Sequence, residues 1–148
     1  MNDVVLWLHI IGASVWLGTN VAQMLIGPKL VSEGAGLPWL RAVAKASGPI
    51  YGSASGLILL TGIYLVLGSD GDYTFGSMFV GIGIAVVIIG GALAGLVFTR
   101  KTRQAIGLFE SSESAQAVAV YKSIGSWAVL DTALLVFAVL VMVAKWGS

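Results

Sequence analysis

The stretch LHIIGASVWLGTNVAQMLIG, Leu8 to Gly27, decides the fold. It is apolar enough to dissolve in hydrocarbon, yet it carries His9, Trp16, Asn20 and Gln23, and His9 is the only histidine of the chain. The apolar run exceeds the roughly 7–15 residues of a signal-peptide core, and the residues before it include Asp3 but no base. It therefore reads as a retained membrane span.

Composition points the same way. Of 148 residues, 57% are hydrophobic and only 10% charged, and the mean hydropathy is +0.95. That is too little charge to cover a soluble domain of this size. The absence of cysteine excludes disulfides, thiolate metal sites and a cysteine nucleophile. One histidine excludes a multi-histidine metal site within the chain, and a net charge of +1 gives no reason to expect nucleic acid as a partner.

Four stretches are long enough to cross a bilayer as helices, at about 20 residues each. They are Val4–Gly27, Pro49–Leu67, Ser77–Thr99 and Ile124–Lys145. Backbone polar groups must be satisfied internally in lipid, and the lengths exclude barrel strands. The expected fold is an all-α membrane protein, a single domain over 1–148 with four transmembrane helices in an antiparallel bundle. Gly27-Pro28 marks the first exit, or a kink in a helix that runs on to Leu30. Pro49 suits the first turn of the second helix, and GSDGDYTFGS, Gly68 to Ser77, reads as an acidic turn-rich loop.

Seven of the eight Lys and Arg residues fall in two segments, 29–48 and 100–122, while the loop between them holds Asp70 and Asp72 and no base. The positive-inside rule then puts both basic segments in the cytoplasm and both termini outside the cell membrane. In the first basic segment, LPWLRAVAKASG fits either a short interfacial helix with Arg41 and Lys45 at the headgroups or a polar connector anchored by Trp39. The second extends the third and fourth helices around a turn near Glu110–Ser114.

Helices associate in lipid through small residues. Gly48, Gly52 and Gly56 form a double GxxxG step, and Gly91 and Gly95 form another. Intrachain packing is the first reading of these motifs and a homodimer face the second. The third span is aliphatic from Val80 to Val97, without a side chain capable of chemistry.

Steps of four and three carry His9 through Ala13, Trp16, Asn20 and Gln23 to Gly27, one helix face. Its off-stripe neighbours are apolar, so this face should point into the bundle. Asp131, on the last span with Trp127, Ala138 and Met142, is the other ionisable group within a span. Asp131 and Asn20 each lie seven residues from the basic end of their helix, at about 10 Å depth for ~1.5 Å per residue. Asp131 is thus expected to meet Asn20 or Gln23, as an interhelical polar clamp or as a proton or ion relay. His9 lies eleven residues from Asn20, roughly 16 Å further out, too far for a direct bond to Asp131. Its depth brings it to Thr61 or Tyr64, either of which would fix its tautomer, and to Met142. His9 reads either as a hydrogen-bonded packing residue or, with Met142, as a soft ligand pair for haem or copper, with Trp16, Thr61 and Tyr64 around it. Met24, Met78 and Met142 also suit gap-filling. No nucleophile–base pair, phosphate loop, paired carboxylates or metalloprotease helix is present.

Leu8-His9, Gly12-Ala13 and Trp16-Leu17-Gly18 give the pattern LH, small-residue turn, W-x-G. With LILLTGIYLVL and the basic RKTRQAI, it resembles a superfamily of small four-helix membrane proteins that includes the copper resistance D (CopD) domain and the HemJ-type protoporphyrinogen oxidases. The match is nearest to an uncharacterised branch of similar length. The resemblance implies a four-helix bundle in which His9 is the family histidine, a haem or copper ligand. The chain lacks the further polar and basic residues of HemJ-type spans and the additional His or Met of copper handling. Two functions are therefore expected: haem or copper binding through His9 in a redox or metal-handling role, or an accessory subunit of a larger membrane complex without its own cofactor.

Overall fold

The computed structural model describes residues 2–147. They form α1 (Asn2–Ser32), α2 (Gly36–Leu67), α3 (Met78–Ala92), a π-helical turn (Leu93–Phe98), α4 (Thr99–Glu110) and α5 (Ser114–Ala144). Because α3 runs through the widened turn into α4, four long helices result, each apolar and long enough to cross a membrane. They pack as a four-helix bundle, with α1 against α2 and α5, and α3 against the same two neighbours.

The helices exceed the expected spans at the basic end. α1 has 31 residues and α2 has 32, about 46–48 Å at ~1.5 Å per residue against a hydrocarbon layer of ~30 Å. Pro28 does not end α1, and Pro49 lies well inside α2 rather than in its first turn. Residues 37–48 are neither a separate interfacial helix nor a connector. They open α2, and Leu40, 1% exposed, packs with Ala105, Tyr121 and Ile124 from α4 and α5. The apolar face expected to meet lipid meets protein instead. Nearby, Arg41 Nη2 and Glu110 Oε1 stand 2.7 Å apart, an exposed pair that contributes little.

Two tight turns close this end. After α1, the Ala35 N–H donates to Leu30 O at 2.8 Å and Gly34 adopts φ +81°. After α4, the Glu113 N–H donates to Leu108 O at 2.9 Å with Ser112 at φ +65°. Both satisfy the last helix carbonyls with a left-handed residue, as glycine does at the first and serine at the second. The Glu110–Ser114 turn lies where the sequence places it.

Close approach does not use the expected GxxxG glycines. A Cβ at Gly48, Gly52, Gly56, Gly91 or Gly95 would meet nothing within 4 Å. The helices instead approach at Gly12, which faces Ile58, and at Gly90, where a Cβ would lie 2.2 Å from Trp16 Cζ2. Gly90 lets the large indole cross the middle of the bundle. The packed layer there, Trp16, Tyr51, Ala54, Ile58 and Leu135, is a waist between two cavities that open towards opposite ends.

Candidate functional site

The stripe on α1 faces inward as its spacing implies. Trp16 and Asn20 are 2% and 1% exposed, while the off-stripe Ile10 and Val15 are 53% and 42% exposed. On α5 the buried face carries Asp131, Leu135 and Ala138, whereas Trp127 stays at the surface.

At the waist, Asp131 Oδ2 accepts two hydrogen bonds from α1, one from Asn20 Nδ2–H at 2.7 Å and one from Trp16 Nε1–H at 2.9 Å. The Tyr51 hydroxyl donates to Asn20 Oδ1. Gln23 Nε2–H donates in turn to the Tyr51 oxygen at 3.1 Å. Donation therefore runs one way, from Gln23 through Tyr51 and Asn20 to the carboxylate, and each bond polarises the next. α1, α2 and α5 are joined through side chains that would be costly in hydrocarbon if unpaired. Asn20 is the direct partner of Asp131, and Gln23 connects only through Tyr51. Trp16 belongs to this network through its N–H. Tyr51, which the sequence reading did not single out, bonds both Asn20 and Gln23 and stacks edge-on to Trp16, with ring centroids 6.1 Å apart.

His9 sits apart from the waist, on the wall of the larger cavity. Its Nδ1 lies 2.9 Å from Thr61 Oγ1. The single Thr61 hydroxyl proton is engaged by the carbonyls of Leu57 and Ile58 on its own helix. Thr61 must then accept, so Nδ1 of His9 carries the proton and Nε2 keeps its lone pair. Gly62 makes room for the ring, since a Cβ there would lie 3.2 Å from His9 Cε1. Tyr64 is 38% exposed and does not line the cavity, so the tautomer rests on Thr61. Met142 lines the cavity from α5 and lays its Cε methyl over Gly83, where a Cβ would come within 2.2 Å.

The cavity is a half-open space of about 960 Å³ bordered by α1, α2, α3 and α5, with Leu17 and Val87 on its inner wall and the exposed Ile10 and Val139 at its open side. Asp70, Asp72, Tyr73 and Lys145 stand at its mouth, and His9 and Ser14 are polar groups of its wall. Lys145 Nζ donates to the Tyr73 hydroxyl and sits 5.0 Å from the centre of that ring. The hydrogen bond to Tyr73, with the charge of Asp72 behind it, holds the Lys145 ammonium above its usual pKa. Among the described residues, no three His, Cys, Asp or Glu side chains are grouped to hold a metal ion.

No protein-family model matches this chain, and no curated protein or solved structure matches it.

Proposed function

We propose that this chain is a small polytopic protein of the cell membrane that holds haem in its larger cavity through His9. In this arrangement the four helices alternate in direction, both termini lie outside, and segments 29–48 and 100–122 face the cytoplasm, as the distribution of Lys and Arg favours. The observation that carries the proposal is the fixed tautomer: Nδ1 committed to Thr61, on a histidine that lines an apolar cavity of about 960 Å³. A coordinating histidine commonly has its other ring nitrogen tied in this way.

Cavity size separates the two candidate groups. A copper ion needs several donors converging at bonding distance, and His9 with Met142 supplies two on different walls of a large hydrocarbon space. A broad, mostly apolar prosthetic group fits the volume and the lining. Haem bound there supplies one-electron redox chemistry. His9 Nε2 would hold the group, Thr61 would keep that nitrogen unprotonated, and the aliphatic lining would limit water. The resemblance of the first helix to CopD- and HemJ-like proteins favours the same reading.

The test is a reduced-minus-oxidised spectrum with metal analysis on protein purified in mild detergent. A Soret band that disappears in His9→Ala is the expected result. Colourless, metal-free protein that co-purifies with stable partners would select the accessory-subunit role instead.

A further inference from the structure

The second cavity, on the opposite side of the waist, has different chemistry. It is a narrow crevice between α2 and the helix formed by α3 and α4, with Gly48, Gly52, Gly91 and Gly95 along its walls. Its inner end is Trp16 and Tyr51, and Arg103 lines its outer end. No acidic residue lines it. Arg103 has no ion-pair or hydrogen-bond partner among the described residues, whose one salt bridge is Arg41–Glu110. Lys45 and Arg100, both exposed, add positive charge at the same end of the bundle.

The dimensions decide what can enter. Along α2 the lining runs from Val43 to Ser55, about 18 Å at ~1.5 Å per residue. Its volume is about 290 Å³. A helix at least ~10 Å across occupies roughly 1,400 Å³ over that length and cannot enter. One unbranched alkyl chain can. Its head would then lie at Arg103, where the unmatched positive charge favours an anionic head over a zwitterionic one.

We infer that this crevice binds an anionic phospholipid from the leaflet at the basic end, with one acyl chain between α2 and α3 and the phosphate at Arg103. The site is independent of the haem assignment, because the waist separates the two cavities. It also accounts for glycines that no helix of the chain packs against: they leave a channel one chain wide.

The probe is phosphatidylglycerol, compared with phosphatidylcholine and with inorganic phosphate, on the full chain in mild detergent. The measurements are lipid-dependent thermal stability and lipid retention by native mass spectrometry. Wild type should retain phosphatidylglycerol and be stabilised by it, and inorganic phosphate alone should do neither. Arg103→Gln should weaken phosphatidylglycerol binding roughly fivefold and bring it to parity with phosphatidylcholine. Gly52→Leu should abolish retention of both lipids while leaving the lipid-free melting temperature near wild type, because a Cβ at Gly52 meets nothing within 4 Å. Gly95→Leu is the second blocking variant for the same reason. Equal binding of the two lipids by wild type would overturn the inference, as would retention that neither blocking variant reduces. So would stabilisation by phosphate alone. A protein dimer lost in Gly52→Leu would assign the face to a second copy of the chain and would equally overturn it.

Discussion

The Trp16 indole N–H donates to the Asp131 carboxylate across 2.9 Å, although 115 residues separate the two in the chain. The same oxygen takes the Asn20 amide, so one carboxylate holds two donors of α1 inside the bundle. An isosteric acceptor should preserve this arrangement and an apolar side chain should not. Asp131→Asn should keep the thermal stability in detergent near wild type, whereas Asp131→Leu should lower it. The loss is about 1–3 kcal/mol for each orphaned donor. Equal stability of both variants, with loss of a transport or redox phenotype, would instead identify Asp131 as a relay.

The glycine pair at 90 and 91 gives a contrast of sign. Gly90→Ala drives a methyl group into Trp16 and should destabilise by about 1–3 kcal/mol. Gly91→Ala meets nothing within 4 Å and should gain about 0.5–1 kcal/mol from the stiffer helix backbone. Thermal melts of the two variants, with tryptophan fluorescence to follow the indole, read both. A destabilised Gly91→Ala beside a neutral Gly90→Ala would contradict the packing described at the waist.

Tyr51→Phe removes the donor of Asn20 Oδ1 and the acceptor of Gln23, at a cost of about 1 kcal/mol. Because donation runs from Tyr51 through Asn20 to Asp131, the cost should be smaller in an Asp131→Leu background. A double-mutant cycle measures that coupling. Strict additivity would mean that the bonds act separately.

Thr61→Val keeps the shape of the α2 wall but removes the acceptor of His9 Nδ1. If His9 holds haem, this variant should retain it at least ~10-fold more weakly, with an altered Soret band. His9→Ala should abolish retention. Unchanged retention in Thr61→Val would remove the role given to the fixed tautomer.

At the mouth of the larger cavity, the folded-state pKa of Lys145 is raised above its model-peptide value of 10.5 by Tyr73 and then by Asp72. A raised folded-state pKa means that the contact is at full strength below 10.5 and is lost as the pH climbs through the higher folded value. NMR of reductively methylated lysines should show the Lys145 pKa falling in Tyr73→Phe.

Depth counting brought Asp131 to the level of Asn20 or Gln23 without choosing between them; the helices run on to Ser32 and from Ser114, and Asn20 makes the direct bond. The counting missed Tyr51 for a physical reason. With Pro49 read as the start of the second helix, Tyr51 stands at the membrane surface; with α2 beginning at Gly36, it is level with Asn20. Around residues 37–48, an amphipathic pattern shows that an apolar face is buried but not whether lipid or protein covers it. The GxxxG spacings reveal where backbones are free to approach, and Gly90, outside those motifs, is where one does. The inward face of α1 was legible because a single period governs it. The partners of that face lie on helices whose register depends on where they begin.

The position of Asp131 in the chain also bears on the order of assembly. Asp131 follows Asn20 by 111 residues, so the N–H groups of Trp16 and Asn20 are synthesised before their acceptor. Until Asp131 arrives they can be satisfied only by water, by lipid headgroups or by the insertion machinery. α5 therefore closes the polar network of the bundle, and a chain broken off before residue 131 leaves Trp16 and Asn20 without the carboxylate that holds them.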